Sequence, residues 1–138
     1  HYPLRRQRQM CIRDRLVRLL TNDDPEQARR VADLIDDSSA CFVPITVVLE
    51  LEWVLRGAYQ LPREAIIRAF RGLNAIRQLH LEQEEQVLQA LEAYAKGLDF
   101  VDALHLLRSE GCAALVSFDR AFVRKAGELA LTPAVQQL

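Results

Sequence analysis

Ala-Ala-Leu-Val-Ser-Phe-Asp-Arg-Ala-Phe, at residues 113–122, is the stretch that decides the fold class of this chain. Its first half is a short apolar run typical of a buried strand, and its second half begins a helix predicted over residues 119–127. Asp119 therefore falls where a strand passes into a helix, and Ser117 is close enough in sequence to hydrogen-bond there. In open α/β folds this edge of the sheet binds ligands, although an Asp here is also an ordinary helix N-cap.

Helical and strand-like segments alternate along the chain from residue 16. Pro25 and Pro62 suit helix starts, and Gly111 suits a helix C-terminus. Short strands separated by helices predict an α/β fold in which a parallel β-sheet is flanked by helices. The predicted helices cover residues 16–20, 26–36, 45–58, 62–73, 82–95, 99–108 and 119–127, and the predicted strands cover residues 40–43, 113–118 and 129–131.

The composition predicts a soluble globular protein. Half of the 138 residues are hydrophobic and 27% are charged, which is an ordinary profile for a globular domain. No apolar run approaches the roughly 20 residues needed to cross a bilayer. The three cysteines form no Cys-x-x-Cys pair, which argues against disulfides and against a zinc knuckle. We therefore expect a cytoplasmic protein without membrane attachment.

The net charge of −1 conceals an uneven distribution. Residues 1–15 contain five Arg and one Asp, a charge of +4, and the other 13 basic and 18 acidic residues give −5. An acidic body does not attract nucleic acid by charge alone. If the protein acts on a polyanion, metal ions and local arginines must overcome this repulsion.

Further acidic side chains lie on the predicted helices. Asp99 and Asp102 are three apart and share a helix face, although Asp99 also suits a helix N-cap. Glu50 and Glu52 are about 200° apart around their helix, so they cannot both point into one site. Geometry alone does not choose between these two glutamates. Several carboxylates gathered at one edge would suit a hard divalent cation such as Mg²⁺.

The predicted helix at residues 45–58 is apolar on nearly all sides. One stripe should face the sheet, while Leu49 and Trp53 lie opposite to it. The second face is covered either by another helix of the chain or by a partner, and the sequence leaves both possibilities open. The residues of the stripe are Val47, Val48, Leu51, Val54 and Leu55.

The chain resembles the PIN domain, specifically the VapC-like ribonuclease toxins of bacterial toxin–antitoxin pairs, in four phrases over residues 16–138. The phrases are Leu-Val-Arg-Leu-Leu-Thr-Asn-Asp-Asp-Pro-Glu-Gln-Ala (16–28), Phe-Val-Pro-Ile-Thr-Val-Val-Leu-Glu-Leu-Glu-Trp-Val-Leu-Arg (42–56), Gly-Leu-Asp-Phe-Val-Asp-Ala-Leu-His-Leu (97–106) and Ser-Phe-Asp-Arg-Ala-Phe (117–122). The resemblance implies a PIN-like α/β/α sandwich that hydrolyses RNA as an endoribonuclease with Mg²⁺ or Mn²⁺. It also implies three partners: an RNA substrate, a cognate antitoxin and a second copy of the chain.

The resemblance also implies which residues form the site. Glu50, Asp102 and Asp119 correspond to catalytic metal ligands and Asp99 to an accessory ligand, which favours Glu50 over Glu52. The arginines that we expect to contact phosphate are Arg56, Arg120 and Arg124.

The N-terminal segment departs from the family pattern. The family's first strand ends in Asp-Thr-Asn, and its Asp would fall at residue 12, where this chain has Ile12. Asp14, two residues later, is a further candidate ligand. We expect residues 1–15 to be a foreign segment that replaces the first strand, so that the PIN domain covers residues 16–138. The alternative function is a catalytically impaired PIN scaffold that binds an antitoxin or dimerises.

Overall fold

The computed structural model describes residues 10–11, 16–21, 25–37 and 40–138. The chain divides into two compact units, His1–Glu82 and Gln83–Leu138. No helix within the described ranges is both long enough and apolar enough to pass through a bilayer.

The first unit is built on a parallel sheet. Its elements are β1 (Met10–Cys11), α1 (Leu16–Thr21), α2 (Pro25–Asp37), β2 (Cys41–Val43), α3 (Ile45–Gly57), α4 (Arg63–Ala75) and β3 (Leu79–Leu81). β2 is the middle strand and pairs in parallel with β1 and with β3, so that Cys41 lies opposite both Met10 and Leu79. Helices connect successive strands, as parallel pairing requires.

Helix α3 buries one face and exposes part of the other. Val47, Val48, Leu51 and Leu55 are buried, and their spacing places them on one stripe, as predicted. Val54, the fifth predicted member of the stripe, is half-buried. On the opposite face, Trp53 is 65% exposed. The helix is therefore amphipathic in the structure, with one large aromatic side chain at the surface.

The second unit contains a strand–helix–strand arrangement preceded by two helices. Its elements are α5 (Glu84–Ala95), α6 (Phe100–Leu107), β4 (Ala114–Ser117), α7 (Arg120–Glu128) and β5 (Ala134–Gln137). β4 and β5 pair in parallel, with Ala114 opposite Ala134 and Ser117 opposite Gln137. Helix α7 connects them, and only two residues separate the end of β4 from its start, so Asp119 lies in this short connection.

A left-handed glycine ends α5 and leads into α6. Gly97 has a φ of +109°, and its N–H donates to the carbonyl oxygen of Tyr94 at 3.0 Å. The N–H of Leu98 donates to the carbonyl oxygen of Ala93 at 3.1 Å, which completes a Schellman motif. The buried rings of Tyr94 and Phe100 then meet edge to face, with centroids 5.7 Å apart. These contacts fix the position at which α6 begins.

The α/β class and the parallel strands are confirmed, but one predicted strand is wrong and one strand was missed. Residues 129–131 are not a strand: Ala130 has a φ of +53°, and Leu131 donates to the carbonyl oxygen of Ala126 at 3.1 Å, so this segment closes α7. The last strand instead follows the cis Thr132-Pro133 peptide. Strand β3 was missed, because three residues carry no periodic signal and only the pairing with β2 defines them.

Gly97→Ala should lower the free energy of unfolding by about 1–3 kcal/mol, because a residue with a Cβ is strained at this φ. The added Cβ would also lie 3.3 Å from Cε of Lys125. Equilibrium unfolding in urea measures the change. Gly72→Ala is the matched control: it lies within α4 with open space around the added Cβ, so it should stabilise by roughly 0.5–1 kcal/mol. Equal stability of the Gly97→Ala protein and the wild type would contradict the role of the glycine.

Candidate active site

Asp119 lies at the carboxyl end of β4 and caps α7. Its backbone N–H donates to Oγ of Ser117 at 3.0 Å, and its Oδ1 accepts from the N–H of Phe122 at 3.1 Å. The cap satisfies one of the N–H groups that a helix start leaves without a helical partner. The structure therefore places Asp119 at the predicted strand-to-helix edge, with Ser117 in the same turn.

Asp99 makes the same kind of cap at the start of α6. Its backbone is extended, and its Oδ1 accepts from the N–H of Asp102 at 3.1 Å. The Schellman motif at Gly97 brings the chain to this position two residues earlier. Both features that the sequence indicated, a cap at Asp99 and a carboxylate pair with Asp102, are present.

Asp102 lies in the first turn of α6 and is half-buried. Its burial, and secondly the negative charges of Asp99 and Asp119, raise the pKa of the Asp102 carboxyl above its ordinary value, while His105 partly offsets the increase. Exposed charges in water are largely screened beyond about 10 Å at ordinary ionic strength. The charges of Asp99 and Asp119 both act on Asp102, and we call these three carboxylates, at the starts of α6 and α7, the acidic cluster.

Helix capping is compatible with cation binding by the same aspartates. A carboxylate has two oxygens and about four lone-pair sites. The caps of α6 and α7 engage Oδ1 of Asp99 and Oδ1 of Asp119. The cap bonds hold each carboxylate in place, so less conformational freedom is lost when a cation binds.

The acidic cluster fits Mg²⁺ or Mn²⁺ by the chemistry of its donors, because these ions prefer carboxylate oxygens. Among the residues that the structure describes, however, no three His, Cys, Asp or Glu side chains are close enough to hold one metal ion together. Mg²⁺ commonly takes one or two protein carboxylates and completes its octahedron with water and substrate phosphate. A divalent cation held by Asp102 and one capping aspartate stays a prediction.

The two glutamates of helix α3 differ in burial. Glu52 is 1% exposed, and Nε of Arg56 donates to its Oε2 at 2.8 Å, one helical turn away. Glu50 is exposed, as a residue that binds a ligand from solution must be. Glu52 is therefore a structural residue of the first unit, and the role of Glu50 as a metal ligand stays a prediction.

The three predicted phosphate-binding arginines lie in different settings. Arg56 is hydrogen-bonded to Glu52, so part of its donor capacity serves that ion pair. Arg120 and Arg124 are exposed and four residues apart on α7, which places them on one helix face. Arg120 directly follows Asp119, at the start of the same helix. Phosphate binding by these arginines stays a prediction.

The predictions for the N-terminal segment concern positions that the structure mostly leaves undescribed. Ile12 and Asp14 lie outside the described residues. Met10–Cys11 is described and forms β1, which pairs with β2. A two-residue strand therefore joins the parallel sheet, although the sequence pattern of residues 1–15 predicts none.

Two features of the second unit were not predicted. The ring of Phe118, beside Asp119, is 78% exposed, which an apolar residue at the end of a strand does not indicate in the sequence. A cavity of about 620 Å³ is lined by Gln83, Glu84, Glu85, Gln86, Gln89, Leu107, Glu110 and Thr132. None of the three clustered aspartates lines this cavity, so the acidic cluster is separate from it.

Comparison with known families agrees with this arrangement. The family model of the PIN domain matches residues 15–128, a range that includes the acidic cluster and the helices that position it. The chain therefore belongs to the PIN domain family. PIN domains are typically nucleases and generally use divalent metal ions. No curated protein and no solved structure matches the chain.

Asp102→Asn should raise the free energy of unfolding at neutral pH by roughly 0.5 kcal/mol, the size usual for partly exposed charge interactions. Because folding raises the pKa of Asp102, the folded chain binds this proton more tightly than the unfolded chain. Stability therefore falls as the pH rises from the unfolded pKa through the folded pKa. Urea unfolding at neutral pH and in acid measures the effect: the advantage of the variant should vanish below the unfolded pKa. A wild type that is the more stable of the two at neutral pH would contradict the repulsion.

Glu52→Ala should lower the free energy of unfolding by about 1–3 kcal/mol, because it removes the buried, charged hydrogen-bond partner of Arg56. Glu50→Ala, at an exposed position of the same helix, should change it by no more than about 0.5 kcal/mol. Unfolding in guanidinium chloride compares the two variants directly. The reverse order of stabilities would overturn the assignment of Glu52 as the structural glutamate.

Proposed function

We propose that this PIN domain is a metal-dependent endoribonuclease and the toxin of a VapC-like toxin–antitoxin pair. The observation that carries the proposal is the acidic cluster of Asp99, Asp102 and Asp119 at the starts of α6 and α7. The cluster lies beyond the carboxyl end of β4, where α/β folds bind their ligands. Carboxylates gathered in this way suit the hydrolysis of phosphodiesters with divalent ions.

The chain contributes placement and charge to this reaction. A bound divalent cation supplies a water of lowered pKa and stabilises the leaving oxygen of the phosphodiester. The caps at Asp99 and Asp119 keep two carboxylates in fixed positions, and Asp102 adds a third negative charge that attracts the cation. Arg120 and Arg124, exposed at the beginning of α7 and one turn later, offset the charge of the RNA backbone.

The resemblance implies one further metal ligand and one missing acid. Glu50 is the further ligand, and its exposure on α3 supports this role. Ile12 occupies the place of the first acid in the resemblance, so the site has one carboxylate fewer. Mg²⁺ should therefore bind more weakly than it would with an Asp at residue 12, because Mg²⁺ tolerates incomplete coordination poorly.

A second candidate function is a PIN scaffold that binds an antitoxin or a second copy without cutting RNA. Two observations favour it. No three potential ligands within the described ranges are close enough to hold a metal ion together. Trp53 is 65% exposed on α3, and large aromatic side chains are enriched at protein interfaces. Antitoxin binding is compatible with either candidate function, whereas RNA cleavage separates them.

Asp119→Asn should reduce Mg²⁺-dependent cleavage of a mixed pool of single-stranded RNA by at least about 100-fold, because it removes a ligand charge needed by metal-assisted hydrolysis. Asn caps helices as well as Asp does, so the variant separates the loss of charge from the loss of the cap. Gel analysis of end-labelled RNA measures cleavage, with EDTA as the control for metal dependence. Glu92→Gln, an exposed charge change on α5, should leave the rate unchanged.

RNA cleavage by the wild-type (parent) chain and by an Ile12→Asp variant distinguishes a weak metal site from an absent one. If the parent cleaves poorly and Ile12→Asp cleaves well, the nuclease proposal and the missing first acid are both supported. If neither protein cleaves RNA at saturating Mg²⁺, the nuclease proposal fails and the scaffold function remains. Cleavage that persists unchanged in Asp119→Asn would place the activity outside the acidic cluster.

A further inference from the structure

An exposed apolar platform lies directly beside the acidic cluster. Phe118 is 78% exposed, Leu138 is 68% exposed and Val116 is 50% exposed. Val116 lies in β4, and Phe118 directly follows the last residue of that strand. Leu138 directly follows the last residue of β5, and its N–H donates to the carbonyl oxygen of Ser117 at 3.0 Å, which holds the ends of the two strands together. The three exposed apolar side chains therefore lie at or just beyond the neighbouring ends of β4 and β5, and we call them the apolar platform.

We infer that Phe118 is a base-stacking residue of this site, which receives an unpaired nucleobase, preferentially a purine, next to the phosphodiester that is cleaved. The inference deepens the proposed nuclease function and rests on it. It assigns to the site an affinity for single-stranded RNA that does not depend on charge.

Hydrogen bonds fix the backbone on both sides of Phe118. Nε2 of Gln137 donates to the carbonyl oxygen of Phe118 at 3.1 Å. On the preceding residue, the carbonyl oxygen of Ser117 accepts from the N–H of Leu138 at 3.0 Å, and Oγ of Ser117 accepts from the N–H of Asp119 at 3.0 Å. Because this backbone is already ordered, only the side-chain rotation of Phe118 loses freedom when a base stacks on its ring.

The surroundings of the ring favour RNA over a protein as its occupant. Three exposed charged residues follow Phe118 in the chain: Asp119, Arg120 and Arg124. Asp119 belongs to the proposed cation site, and the two arginines supply positive charge for phosphate. Such a combination is typical of single-strand binding surfaces. A stable protein interface buries about 800 Å² on each partner, whereas three side chains supply a small part of that area. A single nucleobase is similar in size to the Phe118 ring together with the two apolar side chains of the platform, so it fits this surface better than a protein does.

Stacking requires an unpaired base. In a duplex both faces of each base are already covered by neighbouring bases, whereas bases of loops and single strands can splay out onto an aromatic side chain. Stacking is tolerant of sequence because every base has a π face, and the modest preferences that occur follow stacking strength. Purines have the larger π surface, so a purine preference is expected.

The test uses RNA binding in EDTA, so it does not depend on cleavage. A short single-stranded RNA carrying one 2-aminopurine should lose fluorescence when the wild-type protein binds it. Phe118→Leu should abolish this quenching and weaken binding by about 5- to 150-fold, the factor that corresponds to about 1–3 kcal/mol per stacked base. Phe118→Tyr should retain both properties. Leu34→Ala, which shortens an exposed apolar side chain on α2, is the matched control and should behave as the wild type does.

Each result separates this inference from the proposed nuclease function. Quenching that is lost in Phe118→Leu and kept in Phe118→Tyr supports stacking, even if the wild type fails to cleave RNA. Cleavage of RNA without quenching, or with equal quenching in Phe118→Leu, overturns stacking and leaves the nuclease proposal intact. Light scattering tests whether a second copy of the chain occupies the platform instead. A wild-type dimer that becomes a monomer in Phe118→Leu, together with an absence of quenching, would make the platform a protein interface and overturn the inference.

Discussion

Two helix N-caps determine where negative charge gathers in this protein. Asp99 and Asp119 each accept a backbone N–H three residues ahead at 3.1 Å, and the loss of such a cap typically costs about 1 kcal/mol. Neither carboxylate can therefore turn away from Asp102 without weakening its own helix. The raised pKa of Asp102 reflects in part a repulsion that the caps prevent from relaxing. The two carboxylates that cap α6 and α7 are therefore also two of the three carboxylates of the acidic cluster.

Under the proposed function, this constraint means that electrostatic attraction alone does not suffice for the site to engage RNA. Beyond residue 15 the chain carries 13 basic and 18 acidic residues, and the acidic cluster adds local repulsion toward phosphate. A divalent cation reverses the local charge, and Arg120 and Arg124 supply positive charge at the neighbouring helix. Stacking on Phe118 adds affinity that salt does not screen. In this proposal the three contributions act on different parts of one nucleotide: the scissile phosphate, its neighbours and the base.

The sequence predicted those features that depend on local order along the chain. Asp119 follows an apolar run and precedes a helix, so both its cap and its place at the sheet edge could be predicted, and the same holds for the cap at Asp99. Features that depend on packing could not be predicted. Glu50 and Glu52 flank the apolar stripe of α3 equally, and only the folded structure buries Glu52 against Arg56. Strand β3 and the helix end at residues 129–131 are likewise defined by hydrogen bonds to distant or preceding residues rather than by composition.

Direct detection of a divalent cation at the acidic cluster tests the central claim most directly. Mn²⁺ titrated into ¹⁵N-labelled protein broadens the amide signals of residues close to the bound ion. A cation bound at the acidic cluster predicts that the amides of residues 99–103 and 118–122 broaden first and together, and that added Mg²⁺ restores them. Broadening that begins instead at Glu84, Glu85 and Glu110, around the separate cavity, with residues 99–122 unaffected, would contradict the account.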